Sequence, residues 1–374
     1  MGRDESGKGG GMTKRERALT SLRWRPGQAV ADARTHGAPL GACLVATVLL
    51  LVGGSVAVIP IPSMAADPDR IRIGWQPALS YGIHLAMLDK MYEKEGLSPE
   101  HLKFEAGPPM FSALATGDLD VAYMSVYPVI FGLAQKLDVK IFAVVDDFIR
   151  ADGLIVRKAS GINSIADQKG KRIATTFGTG GHFGLLRSLS KAGLTERDLT
   201  VLDMTPGVLH AAFVRGDIDG GWIWEPWLVK LEKENGVIVS VFKDLDAPIA
   251  TVWIARSAFL RERPGTIQKF LKAWDRTMKA DLTPEFYAQV GKVLGLTPEM
   301  ARTAVGRVDP MPMSQQLTGR PSSMGTTETK ATAGLYRQMR EFTEFLYQQK
   351  KIKEVPDLLT AIEPGPMEQY LKKK

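Results

Sequence analysis

Cysteine is almost missing: the 374-residue chain has one, Cys43. An intramolecular disulfide, a thiolate metal cluster and a CxxC redox centre are therefore excluded. Histidine is scarce too. The five, His36, His84, His101, His182 and His210, are nowhere three to five residues apart, so no HExxH-type zinc signature occurs. There is no GxSxG elbow for a serine nucleophile. Charge of one sign is confined to the N-terminus. Residues 1–65 hold eight Lys/Arg against four Asp/Glu, more than half of the formal net charge of +7, and the rest of the chain is close to balance. No concentrated basic patch marks a nucleic-acid binder. The runs Lys350-Lys351 and Lys372-Lys373-Lys374 read as solvated ends. What remains, 44% apolar and 24% charged residues, is ordinary globular composition, with length for two or three compact units.

One long apolar run is present. From Gly41 to Ile59 there is no charge, Lys14, Arg15, Arg17, Arg23 and Arg25 precede it, and Pro60 and Pro62 end it. Ser63-Met64-Ala65 then places small residues at the −3 and −1 positions of a signal-peptidase site. This is the basic, apolar, small-residue order of an export signal, with cleavage after Ala65. The run is also near bilayer-spanning length, so an uncleaved anchor is the other reading. Either way the body leaves the cytoplasm. Cleavage would remove Cys43, which suits an oxidising compartment.

The body alternates strand and helix patterns. Ile71–Trp75, His101–Glu105, Val121–Met124 and Val139–Val145 read as strands; Ile83–Glu95, Pro109–Ala115 and Val129–Gln135 read as helices. A second block follows, with strands at Leu154–Val156, Arg172–Thr175, Leu199–Asp203, Gly220–Trp224, Val237–Phe242 and Val252–Ala255. Its helices are Ser164–Gln168, Phe183–Ala192 and Val208–Val214. The pattern predicts largely parallel sheets covered by helices. Beyond Ser257 the chain reads as helical at Thr266–Lys279, Pro284–Leu294 and Thr329–Gln349, with an irregular stretch at Pro310–Ser323.

An internal echo organises the two blocks. Ala113–Tyr123 (ALATGDLDVAY) and Ala212–Trp222 (AFVRGDIDGGW) share a helix end, a Gly-Asp-apolar-Asp turn and a strand. The glycine supplies a left-handed helix cap and the first aspartate steadies the turn. Repetition at turn positions makes Asp118, Asp120, Asp217 and Asp219 structural rather than catalytic. Two similar lobes facing each other would enclose a cleft at the carboxyl ends of their strands.

Five strand-to-helix loops hold the candidate chemistry: Gln76–Tyr81, Gly107–Met110, Ser125–Pro128, Phe177–His182 and Trp224–Trp227. Helix N-termini in such loops offer free N–H groups to an anion. In FGTGGH the glycines let backbone approach a ligand, while Thr179 and His182 add donors. A plain turn with a capping histidine is the alternative. It is neither a P-loop nor a dinucleotide fingerprint, since no Gly-Lys-Ser/Thr follows and Phe183 takes the third glycine position. Glu225, between Trp224 and Pro226, could pair with a ligand cation beside an aromatic face, or simply be a surface carboxylate.

From about Ile71 to Leu371 the chain resembles periplasmic substrate-binding proteins of ABC importers in the taurine, aliphatic sulfonate and nitrate group. The resemblance rests on IRIGWQPA (Ile71–Ala78), AGPPMFSALATGDLDVAYM (Ala106–Met124), GKRIATTFGTGGHFGLLRSLSKAGL (Gly170–Leu194) and RGDIDGGWIWEPWLVKLEKENGV (Arg215–Val237). It implies a type II two-lobed α/β fold with the ligand cleft between lobes joined by two crossover strands, near Gly153–Arg157 and Thr251–Arg256. Lobe one would be 66–152 with 251–374, and lobe two 153–250. The taurine-binding branch is nearest. By this resemblance a sulfonate would sit on Gln76, Ser80, Tyr81, Ser125, Thr179 and His182, with Tyr127, Gly180 and Trp224 in the same loops. That branch has an acidic residue where this chain has Thr251, so Glu225 or Asp152 would have to meet a ligand amine. Otherwise the ligand lacks one, as isethionate or an alkanesulfonate does; nitrate or an aromatic acid are further options. The resemblance implies a periplasmic monomer serving a permease and its ATPase, with no cofactor and no catalysis. An enzyme of the thiamine-pyrimidine synthase type on the same fold would need a cysteine cluster that is missing here.

Overall fold

The structure, a computed structural model, describes residues 69–80 and 83–374. The expected export segment at 1–65 and the candidate Tyr81 lie outside them. Among the described residues no helix is long and apolar enough to cross a membrane.

The chain first forms β1 (Arg70–Trp75), α1 (Ile83–Leu88), α2 (Met91–Lys94), β2 (Ser98–Lys103), α3 (Gly107–Thr116), β3 (Val121–Ser125), α4 (Val126–Ala134) and β4 (Val139–Asp147). It continues with β5 (Asp152–Arg157), β6 (Arg172–Thr175), α5 (Gly180–Lys191), β7 (Thr200–Asp203), α6 (Pro206–Arg215), β8 (Gly220–Trp224), α7 (Trp227–Lys233) and β9 (Gly236–Val241). Last come β10 (Ala250–Arg256), α8 (Ser257–Glu262), α9 (Pro264–Thr277), α10 (Pro284–Leu294), α11 (Pro298–Val305), β11 (Asp309–Pro310), α12 (Gly334–Gln348), α13 (Leu358–Ala361) and α14 (Gly365–Lys372).

Two sheets result, ordered β11-β4-β10-β3-β1-β2 and β7-β6-β8-β5-β9. The molecule is a two-lobed α/β protein. The expectation of parallel sheets needs correction in one respect. In each sheet the strand by which the chain changes lobe runs against its neighbours: β10 is antiparallel to β3 and β4, and β5 to β8 and β9. The links between sheets, 148–151 and 242–249, lie side by side. Phe148 N–H donates to Ile249 O at 2.9 Å, and Lys243 N–H to Ile149 O at 2.8 Å. Two short adjacent links of this kind form a hinge.

Other expectations change locally. The helix read at Ile83–Glu95 is broken, because Lys90 takes a left-handed conformation (φ 50°) between α1 and α2. The stretches Gly107–Met110 and Ser125–Pro128 are the first turns of α3 and α4 rather than loops. Their prolines suit a first turn, where a missing N–H costs nothing. Within Pro310–Ser323, β11 pairs with β4 at Asp309↔Asp147 and Pro310↔Asp146. Helices α7, α8, α11, α13 and α14 were not among the expected elements. By contrast α9 packs Ile267, Phe270, Leu271 and Trp274, an i, i+3, i+4, i+7 stripe, onto the first sheet. There the Phe270 ring meets Trp253 at 4.9 Å and Tyr92 at 5.1 Å.

The echoed turns are equivalent in three dimensions. Gly117 and Gly216 cap α3 and α6 at φ 79° and 85°. The first aspartate of each turn makes a local contact, Asp118 with the Thr116 hydroxyl and Asp217 with Arg215, while the second ties strands together. Asp120 accepts from the backbone and guanidinium of Arg72 on β1, and from Arg256 on the reversed strand β10. Asp219 accepts likewise from Arg172 on β6, and pairs with Arg157 on the reversed strand β5. Burial pushes both carboxyls up, yet the hydrogen bonds from Arg72 and Arg172 outweigh it, and both pKa values are lowered. Each lobe thus ties its reversed strand to its parallel core through one carboxylate. Asp219→Ala should lower stability by about 1–3 kcal/mol at pH 7. The deficit should shrink as pH falls from about 4 down through the lowered pKa of the folded carboxylate, where the wild-type side chain takes up its proton. Denaturant melts at pH 7 and 3 would test this; an equal loss at both would reject the clamp.

Candidate functional site

A small cavity lies where the lobes meet. Its lining comes from strand ends and helix starts of both: Gln76, Ala78, Gly107, Tyr123, Ser125 and Pro128 from the first lobe, and Asp152, Thr179, Gly180 and Trp224 from the second. Phe148, Ile249 and Thr251 line it at and beside the hinge. Its volume of about 20 Å³ is close to what a single water needs. The cleft is nearly shut, and anything larger enters only when the hinge opens.

Three helices begin at this cavity, α3 at Gly107, α4 after Ser125 and α5 after Thr179. None has a side chain capping its first N–H groups. Their positive ends converge on one point, which favours an anion. No Lys or Arg is among the lining residues. Four lining residues also carry buried polar atoms that meet no hydrogen-bond partner among the described residues: Gln76 Oε1, the Tyr123 hydroxyl, Asp152 Oδ1 and Trp224 Nε1. Buried polar groups are normally satisfied, so these are the atoms a ligand would engage.

Asp152 sets the electrostatics. It opens β5, wholly buried, and burial drives its pKa up to about 8, only partly offset by the Gly153 amide. At neutral pH the carboxyl is mostly protonated, ready either to donate a hydrogen bond or to ionise against a cation. Gly180 is there because nothing else fits: a Cβ would lie 2.9 Å from Asp152 Oδ2 and 2.8 Å from Ile249 Cδ1. Two further glycines of α5 serve packing. A Cβ on Gly184 would lie 2.5 Å from Trp222, and one on Gly181 2.7 Å from the Trp222 carbonyl.

The residues singled out in the sequence divide into three groups. Gln76, Ser125, Asp152, Thr179, Gly180, Trp224 and Thr251 line the cavity. Ser80 stands behind it, donating to Asp146 Oδ2 at 3.0 Å, and Thr251 Oγ1 donates to the other oxygen of that carboxylate. The acid absent at position 251 therefore has a counterpart one strand away, where Asp146 is the register partner of Thr251. Tyr127, His182 and Glu225 are not in the lining. Tyr127 on α4 packs on Phe183 of α5 at 5.2 Å, and burial raises its phenol pKa. His182 stacks on Phe177 at 4.5 Å and accepts from the Gly178 N–H. Glu225 is fully buried, its carboxylate held by Arg307 at 2.5 Å and by the Val229 N–H at 3.1 Å. Arg307 also pairs with Glu232 of α7 at 2.8 Å. This cluster joins the second lobe to the segment between α11 and β11, so Glu225 is a tie between lobes.

Sequence reasoning missed Tyr123, Phe148 and Ile249. Tyr123 read as strand core, and the hinge residues carry no motif. The one available signal for Phe148 and Ile249 was their position just before each crossover.

Known proteins share this architecture. An Escherichia coli (strain K12) protein named taurine-binding periplasmic protein is 29% identical over 192 residues, 50% of this chain and 59% of its own length. A Bacillus subtilis (strain 168) protein carrying the name of an aliphatic sulfonates-binding protein is 33% identical over 215 residues, 56% of this chain and 64% of its own. The match thus spans about three fifths of these relatives. Among solved structures, the alkanesulfonate-binding protein SsuA from Xanthomonas axonopodis pv. citri, bound to MOPS, superposes with a TM-score of 0.68 at 23% identity, covering 80% of this chain and 99% of that one. It shares the two-lobed type II fold. The family model described as NMT1-like matches residues 64–295, and the chain belongs to the NMT1-like family.

Proposed function

We propose that the protein is the solute-binding component of an ABC importer and captures a small organic sulfonate, with taurine the first candidate. The observation that carries this reading is the convergence of three uncapped helix N-termini on a cavity that lacks a basic side chain but contains Asp152. A sulfonate stays charged at any ordinary pH, so neutral donors and dipoles hold it without proton exchange. Asp152, with Trp224 and Tyr123 in the same lining, suits an ammonium at the other end. The names of the relatives agree with a sulfonate ligand. In this reading residues 66–152 and 251–374 form one lobe and 153–250 the other. Residues 1–65 direct export to the periplasm, where a monomer meets its permease, driven by a cytoplasmic ATPase. Closure about the hinge distinguishes the loaded form for that partner.

Thermal melts of the purified protein with taurine, isethionate, ethanesulfonate, nitrate, sulfate and phthalate test this. Ligand at about 100 Kd should stabilise by roughly 2.7 kcal/mol. Taurine is expected to shift the melt more than isethionate, which replaces the ammonium by hydroxyl. A larger shift with isethionate or ethanesulfonate would remove taurine and keep the sulfonate site. No shift with any sulfonate would overturn the substrate class.

A further inference from the structure

Helix α12 belongs to the first lobe by chain order and packs on α4, yet it also lies against the second lobe. Its Gln338 holds the hinge. The side-chain oxygen accepts from the Ala250 N–H at 3.0 Å, where the link 242–249 enters β10. The side-chain nitrogen reaches Ser322 Oγ at 3.5 Å, and Ser322 donates to Asp147, where β4 enters the link 148–151. One buried side chain on α12 is thus fastened to the first-lobe ends of both links.

One turn further along, α12 grips α5 of the second lobe. Phe342 is buried and its ring meets Phe183 at 4.2 Å, while Phe345 meets the same ring edge-on at 5.5 Å. Glu341 pairs with Arg187 at 3.4 Å, and that guanidinium lies 5.7 Å from the centre of the Phe345 ring. Just past the helix, Lys351 pairs with Glu196 in the turn before β7. Helix α5 is the one whose start, Thr179 and Gly180, lines the cavity. Gln338, Glu341, Phe342, Phe345 and Lys351 do not line it, so their contacts need no solute.

Because α12 is fixed to the first lobe, a rotation about the links carries α5 away from it or along it. Either movement parts the rings and both ion pairs. The rings matter most, since they lose apolar burial and their mutual packing together. The ion pairs are partly exposed and contribute less.

We propose that α12 is a strap that holds the two lobes closed in the ligand-free protein, so that a solute enters only when the strap parts. This holds whichever solute the cavity takes. A cleft already shaped has less ordering left to do on binding, which favours affinity. Association, in turn, is no faster than opening.

Pulsed electron paramagnetic resonance on the ligand-free full chain tests this. Spin labels go on Glu105→Cys, just past the carboxyl end of β2, and on Val208→Cys, in the first turn of α6, both exposed, with Cys43→Ser removing the native thiol. Without further change the labels should give one distance, that of the structure. Phe342→Leu should raise the population at longer distance severalfold. Arg187→Glu with Lys351→Glu sets like charges face to face at the partly exposed edge of the contact. It should shift the population the same way, and it decides the matter if Phe342→Leu does not fold. Arg215→Glu makes the same charge reversal beside Asp217 within the second lobe, and should leave the distance unchanged. A ligand-free protein that is mainly open without any strap substitution would overturn the strap. So would a distance that neither strap variant moves, or one that Arg215→Glu moves as far.

Discussion

Asp152→Asn should make the ligand-free protein more stable at neutral pH. Free in solution a carboxyl of this kind has a pKa of 3.8, and in the fold burial raises it to about 8. A raised acid binds its proton more tightly in the folded state, so wild-type stability falls as pH climbs from about 4 to 8. At pH 7 the gap is roughly three pH units, at about 1.4 kcal/mol each. The penalty is on the order of 4 kcal/mol, and asparagine, neutral and nearly the same shape, avoids most of it. Denaturant melts of both proteins should coincide near pH 4, diverge up to pH 8 and run parallel above it. A variant that is no more stable than wild type at pH 7, or a difference that persists at pH 4, would show that Asp152 is not held neutral. The same substitution should weaken taurine by tenfold or more while sparing isethionate. A site that destabilises its own fold in this way is a mark of a group kept for function.

Arg307→Ala should cost about 3–5 kcal/mol above neutral pH, because it leaves the Glu225 carboxylate buried without its partner. Burial raises the Glu225 pKa from 4.5 to about 7 against the pull of Arg307. Below that value Glu225 takes up a proton, so the loss in Arg307→Ala should be small at pH 5 and large at pH 8. The double variant Glu225→Gln/Arg307→Met should recover much of it, since a neutral pair needs no counter-charge. A loss of equal size at both pH values would mean that Arg307 acts through packing alone. Because the cluster joins the second lobe to the segment after α11, its removal should also favour the open cleft, seen as a larger radius of gyration in X-ray scattering.

Much of this protein was legible before any coordinates. The Gly-Asp-apolar-Asp echo identified two equivalent lobes, and it did so because a helix-to-strand turn is a local event. A left-handed glycine and a short acidic side chain are demanded by the backbone within a few residues. Strands such as Arg172–Thr175 and Gly220–Trp224 matched to the residue for the same reason: apolar runs bounded by turn formers specify themselves. Loops that begin helices were readable as sources of free N–H groups, since these are a property of any helix start.

The division of labour among the polar residues was decided only by the tertiary structure. Asp152 and Glu225 were equal candidates for a ligand amine. One lines the cavity with an unpartnered oxygen, and the other is committed to Arg307, 82 residues away in sequence. Thr251 looked like the loss of an acid, until the sheet register set Asp146 beside it. His182 and Tyr127 went to the contact between α4 and α5, which no periodicity foretold. Sequence alone determined the local conformations and, through them, the two lobes and the helix starts that line the cavity between them. Which carboxylate stays free, which bridges the lobes and how far the cleft closes depend on non-local pairings, and those exist only once the hinge has brought both lobes together.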